Sequence, residues 1–322
     1  MASSAAASSR SSPARTPGRA FPRRPAGTRQ QARRSDSVIG WAFVTPAAVL
    51  ILTFGAVPIV WSLIMSFQRN NLLSPRTPFV GLQNYRELIH DPAVLQAAGH
   101  TIVYTALFVP GTMVVGLFLA VAMNRDLRFM WFYRTAAYAT MAISTISEAL
   151  VFIWLFDPSY GIVNYVLNLV GLPQQQFLND PNEALYVIVA MTIWGWTGFA
   201  VVIYLAALQG VPKELTEAAA IDGAGRWTTF RRVTLPLLSP ASLFLVVWLT
   251  INALQLFDEV YLSTQGGPLG ATTVLVYYLY NQAFQNFSFG YASAIAYALF
   301  VVILAITAIQ FRVGRALTYY RS

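Results

Sequence analysis

The chain has no cysteine and a single lysine, Lys213. The first absence excludes disulfides, thiolate metal sites and a cysteine nucleophile. The second excludes an ATP-binding P-loop. That loop needs Gly-x4-Gly-Lys-Ser/Thr, and Lys213 sits in Val-Pro-Lys-Glu. Histidine is almost as scarce. His90 and His100 stand ten residues apart with no further cluster of ligands, so both read as surface residues and not as a metal site. Charge is thin as well: 11% of the 322 residues are charged and 56% are hydrophobic. A soluble domain carries about 25% charged residues. A chain with so few charges cannot cover its surface with solvated groups, which points to a polytopic membrane protein. No paired carboxylate–histidine constellation suggests catalysis.

What is present in abundance is long apolar sequence. Six stretches, near 38–67, 101–123, 132–156, 185–208, 240–262 and 291–311, approach or exceed the length a membrane helix needs. That length is about 20 residues for a hydrocarbon core of about 30 Å. The expected fold is all-α, with six transmembrane helices spanning 38–313. Neither a clear repeat nor an inverted pair of halves is visible, which counts against a carrier built from duplicated bundles.

The basic residues fall on one side of these spans. Eighteen of the 21 precede the first span or follow the second, fourth and sixth, and only Arg69, Arg76 and Arg86 fall on the other side. The positive-inside rule puts both termini, and the segment 209–239, in the cytoplasm. Residues 1–37, rich in Ser, Ala, Pro and Arg without apolar period, read as a disordered basic arm able to rest on anionic lipid, not as a nucleic-acid arm. Residues 314–322 read as a cytoplasmic tail. A twin-arginine export signal does not fit, because the following apolar run is too long and five more spans come after it.

The outward loops carry turn signals. Gly81 turns the first, ahead of a segment suited to short interfacial helices. Asp157-Pro158 and Gly171-Leu172-Pro173 bracket a possible short helix over 163–170, and Gly266-Gly267-Pro268 opens the third loop. Tyr277, Tyr278, Tyr280, Phe284, Phe287 and Phe289 follow, residue types that favour a membrane interface.

The inward segment 212–236 is the most informative. Gly210 and Pro212 end the fourth span, and Pro212 suits the first turn of a new helix. Glu214 and Glu217 lie near that helix's positive N-terminal end. Ala218, Ala219 and Ala220 favour helix with small side chains. Gly223 is placed to end the helix in a left-handed conformation. A second short helix then fits 226–233, Pro236 bends the chain, and Ser239-Pro240 caps the next span. The result is a helix–glycine turn–helix with a small-residue ridge and an acidic edge at Glu217 and Asp222. It reads as a docking element or as a well-capped loop without a partner.

The spacing Glu217-Ala218-Ala219, three residues, Gly223, nine residues, Val233, Thr234, Leu235-Pro236 resembles the EAA loop of the membrane subunits of ATP-driven (ABC) importers. Three more stretches, FVGLQNYREL at 79–88, WLFDPSYGIVN at 154–164 and FDEVYLSTQGGP at 257–268, resemble the carbohydrate branch, the maltose- and glycerol-3-phosphate-type permeases. The resemblance covers most of 38–313. It implies a type I importer permease in a bacterial plasma membrane, pairing with a second homologous subunit as a heterodimer. It also implies a dimer of separate ATPases holding ATP and magnesium, and an extracytoplasmic solute-binding protein. Glu217, Ala218, Ala219, Asp222, Gly223, Leu235 and Pro236 are then the ATPase-coupling residues. This chain itself would bind no cofactor. The large outward domain and extra spans of the best-known maltose subunit are missing, which resembles the six-span version.

Polar groups inside spans are the candidate substrate contacts, because they are expensive there. On a continuous helix Asn252, Gln255 and Glu259 share one face, and Asp258 lies off it. Such a face suits a hydroxyl-rich ligand. Trp194 and Trp196 offer an apolar platform for a sugar ring, and Glu148 is a further intramembrane carboxylate. Each has a plainer reading: amides as glue between helices, carboxylates solvated at the outer end, tryptophans as packing. The alternatives at the level of function are another importer branch, for phosphate or peptide, and a non-ABC carrier or membrane enzyme.

Overall fold

The computed structural model describes residues 41–71, 73–74, 76–125 and 128–317. The basic arm at 1–37 and the end of the tail after residue 317 lie outside these. The chain divides into two units, Met1–Ile59 and Val60–Ser322. The boundary falls inside the first helix, α1 (Trp41–Ser66). The described part of the first unit is apolar helix with exposed side chains such as Trp41, Phe43 and Phe54.

In the second unit, α2 (Gln83–His90) and α3 (Pro92–Met123) follow the end of α1. Gly81 sits at φ +58°, so the expected turn is there, and α2 is the short helix after it. Asp91 caps α3 by accepting from the Ala93 N–H at 2.9 Å, with Pro92 in the first turn where its missing N–H costs nothing. α4 (Met130–Ala139) runs into a 3₁₀ turn, Thr140–Ala142, and α5 (Thr145–Leu155) follows at a bend of 103°. α6 (Ile162–Leu169) is the short helix expected near 163–170, closed by Gly171 at φ +76°. The long α7 (Ala184–Gln209) leads to α8 (Lys213–Ile221) and α9 (226–237). α10 (Ser239–Leu254), α11 (Asp258–Ser263), α12 (Leu275–Tyr280) and α13 (Phe289–Leu317) complete the chain.

Four described helices, α1, α3, α7 and α13, are long and apolar enough to cross a membrane, and the bent pairs α4–α5 and α9–α10 raise the number to six. Three expectations about where helices run and bend need correcting. The stretch 132–156 is not one helix, because Ile143 and Ser144 take extended backbone (ψ 129° and 140°). The stretch 240–262 stops at Leu254 and restarts at Asp258. Gln255 and Leu256 close the last turn with i→i−3 bonds to the carbonyls of Asn252 and Ala253, and Phe257 is out of helix at φ −144°. The bend of 63° lies at Leu238, two residues past Pro236; Leu238 holds the N-cap position and Ser239 already lies within α10.

The core forms where α3, α7 and α10 pack together. Tyr104, Phe108, Ile188, Met191, Leu245 and Leu249 are fully buried there. α3 and α7 approach closely because small residues face each other: a Cβ on Gly116 would run into the Ala200 methyl. Tyr277, expected at an interface, is instead buried, packed among the rings of Phe257, Tyr261 and Tyr280. His100 is likewise half-buried, its Nδ1 at 3.0 Å from the Thr273 carbonyl.

Candidate functional site

Two regions concentrate the candidate residues. The first is the hook formed by α8, its turn and α9. α8 ends in a Schellman motif: the Gly223 N–H donates to the Ala220 carbonyl at 3.1 Å, and the Ala224 N–H to the Ala219 carbonyl at 2.9 Å. This needs Gly223 at φ +80°, a conformation costly to any residue with a Cβ. α9 widens into a π-turn at Phe230–Thr234 immediately before Leu235 and Pro236. The proline nitrogen has no hydrogen to give to the carbonyl four residues back.

The hook leaves its chemistry exposed. Glu217, Ala218, Asp222, Gly223, Leu235 and Pro236 are exposed and Ala219 is half-buried. Two residues that the motif does not name stand out further: Ile221 is 87% exposed and Trp227 is 71% exposed. Trp227 stacks on Phe230, ring centroids 5.8 Å apart. Ile221 and Trp227 are thus apolar side chains exposed on the same helical projection as Glu217 and Asp222.

The second region is a cleft made of two adjoining cavities of about 200 and 180 Å³ that share Thr145, Trp196 and Glu259. Each alone is below the about 300 Å³ of the smallest ligand pockets. Glu148 lies in the first; Asn252, Gln255 and Asp258 line the second. The break after Leu254 therefore removes the single helical face expected for Asn252, Gln255 and Glu259, yet brings all three and Asp258 to one cavity. Trp194 lines neither. Two residues from Trp196, it points elsewhere around α7 and packs on Phe152 at 5.6 Å between ring centroids. Trp196 stands edge-on to Phe108 and Phe199.

Sequence reasoning missed Tyr104, Phe108, Thr140 and Thr145, which also line it. It also missed Gly195, where any Cβ would strike the Glu148 carboxylate. The only available signal was a glycine between two tryptophans. Both helix breaks, at 143–144 and 255–257, border the cleft. Irregular backbone at membrane depth is tolerated where it is buried in protein or lines a water-filled cavity.

An integral membrane protein with interrupted helices around a polar cleft and an exposed helical hook is a transport permease in outline. The chain belongs to the family of binding-protein-dependent transport system inner membrane components, whose model matches residues 112–319. It is 34% identical over 281 residues to the sulfoquinovosyl glycerol transport system permease of Agrobacterium fabrum, covering 87% of this chain and 91% of that one. It is 34% identical over 294 residues to the lactose transport system permease of Rhizobium radiobacter, covering 89% and 98%. Its fold matches a bacterial ABC transporter involved in import of the acidic polysaccharide alginate, with TM-score 0.80 and 25% identity over 90% of this chain and 100% of that one. The chain is thus a multi-pass permease subunit of an ABC importer and not an enzyme.

Proposed function

We propose that this chain is one half of a heterodimeric permease that moves a saccharide or saccharide-like solute inward. ATP is bound and hydrolysed on a separate pair of subunits, and the solute is delivered by an extracytoplasmic binding protein. The hook at 212–236 faces the cytoplasm and sits in a groove of the ATPase. Closure of the ATPase dimer pulls the hook, and the interrupted helices around the cleft alternate access between the two sides.

The observation that carries this reading is the exposed hook itself. A Schellman-terminated helix with Glu217, Asp222, Ile221 and Trp227 outward is stiff enough to transmit a displacement and leaves apolar surface for a partner. The names of the relatives, several of which transport sugars or sugar derivatives, favour a saccharide. Trp196 beside Asn252 and Gln255 fits one, with a ring face and amide groups able to donate to and accept from hydroxyls.

The test is co-purification. With the wild-type chain the ATPase should be retained on the permease and solute uptake should require ATP. A Gly223→Pro chain should insert normally and lose both. Uptake at the wild-type rate with Gly223→Pro, or uptake without any ATPase, overturns the reading.

A further inference from the structure

The ionisable lining of the cleft is of one sign. Glu148, Asp258 and Glu259 reach it, and no lysine, arginine or histidine is among its described residues. Glu148 is only 8% exposed, and its Oε1 has no hydrogen-bond partner. Gly195 leaves room for that carboxylate against α7. A buried carboxylate oxygen without a donor is costly, and a second carboxylate on the same cavity adds to the cost. A solute that brings hydroxyl or ammonium hydrogens relieves both. A solute that brings a carboxylate, phosphate or sulfonate adds a like charge beside them.

We propose that the cleft is a charge filter: it accepts uncharged and amino-substituted saccharides and rejects anionic ones. This rests on the saccharide-permease reading above and narrows it. Family membership leaves the choice open, since relatives are named for a neutral sugar, lactose, and for a sulfonated one. The lining makes the choice through Glu148 and Glu259, while Trp196 supplies a ring face that is indifferent to charge.

Glucose, glucosamine and glucuronate share one ring and differ in charge at neutral pH. Their binding is measured by ligand-observed NMR on the purified permease in nanodiscs, together with any ATPase it retains and without the solute-binding protein. Glucose and glucosamine should bind, and glucuronate should bind about tenfold or more weakly. A Glu148→Gln, Glu259→Gln double variant should bring glucuronate within about threefold of glucose, with Glu259→Gln alone giving part of that change. Glucuronate binding as tightly as glucose to the wild type, an unchanged ratio in both variants, or no saturable binding of any of the three overturns the filter. ATPase retention in the same preparation scores the coupling reading separately, so either can fail while the other stands.

Discussion

The hook and the cleft are built in opposite ways. Every feature of the hook comes from residues within a few positions: the Gly223 turn closes on Ala219 and Ala220, and the π-turn precedes Pro236 directly. The cleft collects Tyr104, Thr145, Glu148, Trp196 and Glu259 from four different helices. A local device tolerates change around it and fails when its own backbone is altered. A cleft assembled over long range is sensitive to packing at positions far from any polar group.

The largest expected effect breaks the local device. Proline cannot reach φ +80°, so Gly223→Pro should lower ATPase retention by more than about tenfold. Gly223→Ala, which costs about 1 kcal/mol in that conformation, should lower it only severalfold. Both are read by pull-down from solubilised membranes, and equal effects from the two would remove the distinction.

Next comes the long-range device. A Gly195→Leu side chain would start inside the Glu148 carboxylate, and overpacking of this kind costs about 1–3 kcal/mol. Uptake in proteoliposomes should fall about tenfold. ATPase retention should stay at the wild-type level. Loss of both together would mean that the two regions are not separable.

A smaller effect should follow from Ile221→Asp. The residue is 87% exposed, so folding is untouched, and retention should weaken about fivefold through lost apolar contact. A wild-type value would confine docking to the acidic edge.

The smallest effect concerns a third region, where Asp91 ties α3 to α12 and α13. It accepts from the Tyr278 hydroxyl at 2.8 Å and from the Tyr291 hydroxyl at 2.7 Å. Burial pushes the carboxyl up, but the hydroxyls of Tyr291 and Tyr278 and nearby backbone N–H groups outweigh it and hold it below its usual value. Burial and the Asp91 partner push Tyr278 up to about 12. A depressed aspartate contributes stability above the unfolded carboxyl value and loses it as pH falls through the lower folded value. A raised tyrosine contributes below its unfolded value and loses it as pH rises through the folded one. Melting in detergent should therefore be insensitive to this tie near neutrality and weaken from about pH 10 to 12. Asp91→Asn should remove the part of that alkaline dependence that comes from the Asp91 partner and leave the part that comes from burial.

The same contrast explains what was legible in the sequence. Helix formers, a glycine and two prolines at fixed spacing define the hook without reference to the rest of the chain, so its outline is readable there. Ile221 and Trp227 were not singled out, because exposure on a loop is invisible until the turn is built. The apolar spans were readable as composition, since hydropathy is additive along the chain. Their breaks were not, because neither 143–144 nor 255–257 holds a proline or glycine. Tertiary packing around the cleft overrides helix propensity there. Glu148 was visible as an expensive residue, whereas the glycine that accommodates it gained meaning only from the α5–α7 approach.

Because the chain has no cysteine, a single thiol at Ala218→Cys reports on the hook alone. Labelling it with a membrane-impermeant maleimide, in intact and then opened cells, with and without the ATPase, tests the account most directly. The thiol should react only once the membrane is opened, and binding of the ATPase should protect it. Reaction in intact cells, or equal reaction with and without the ATPase, would contradict the account.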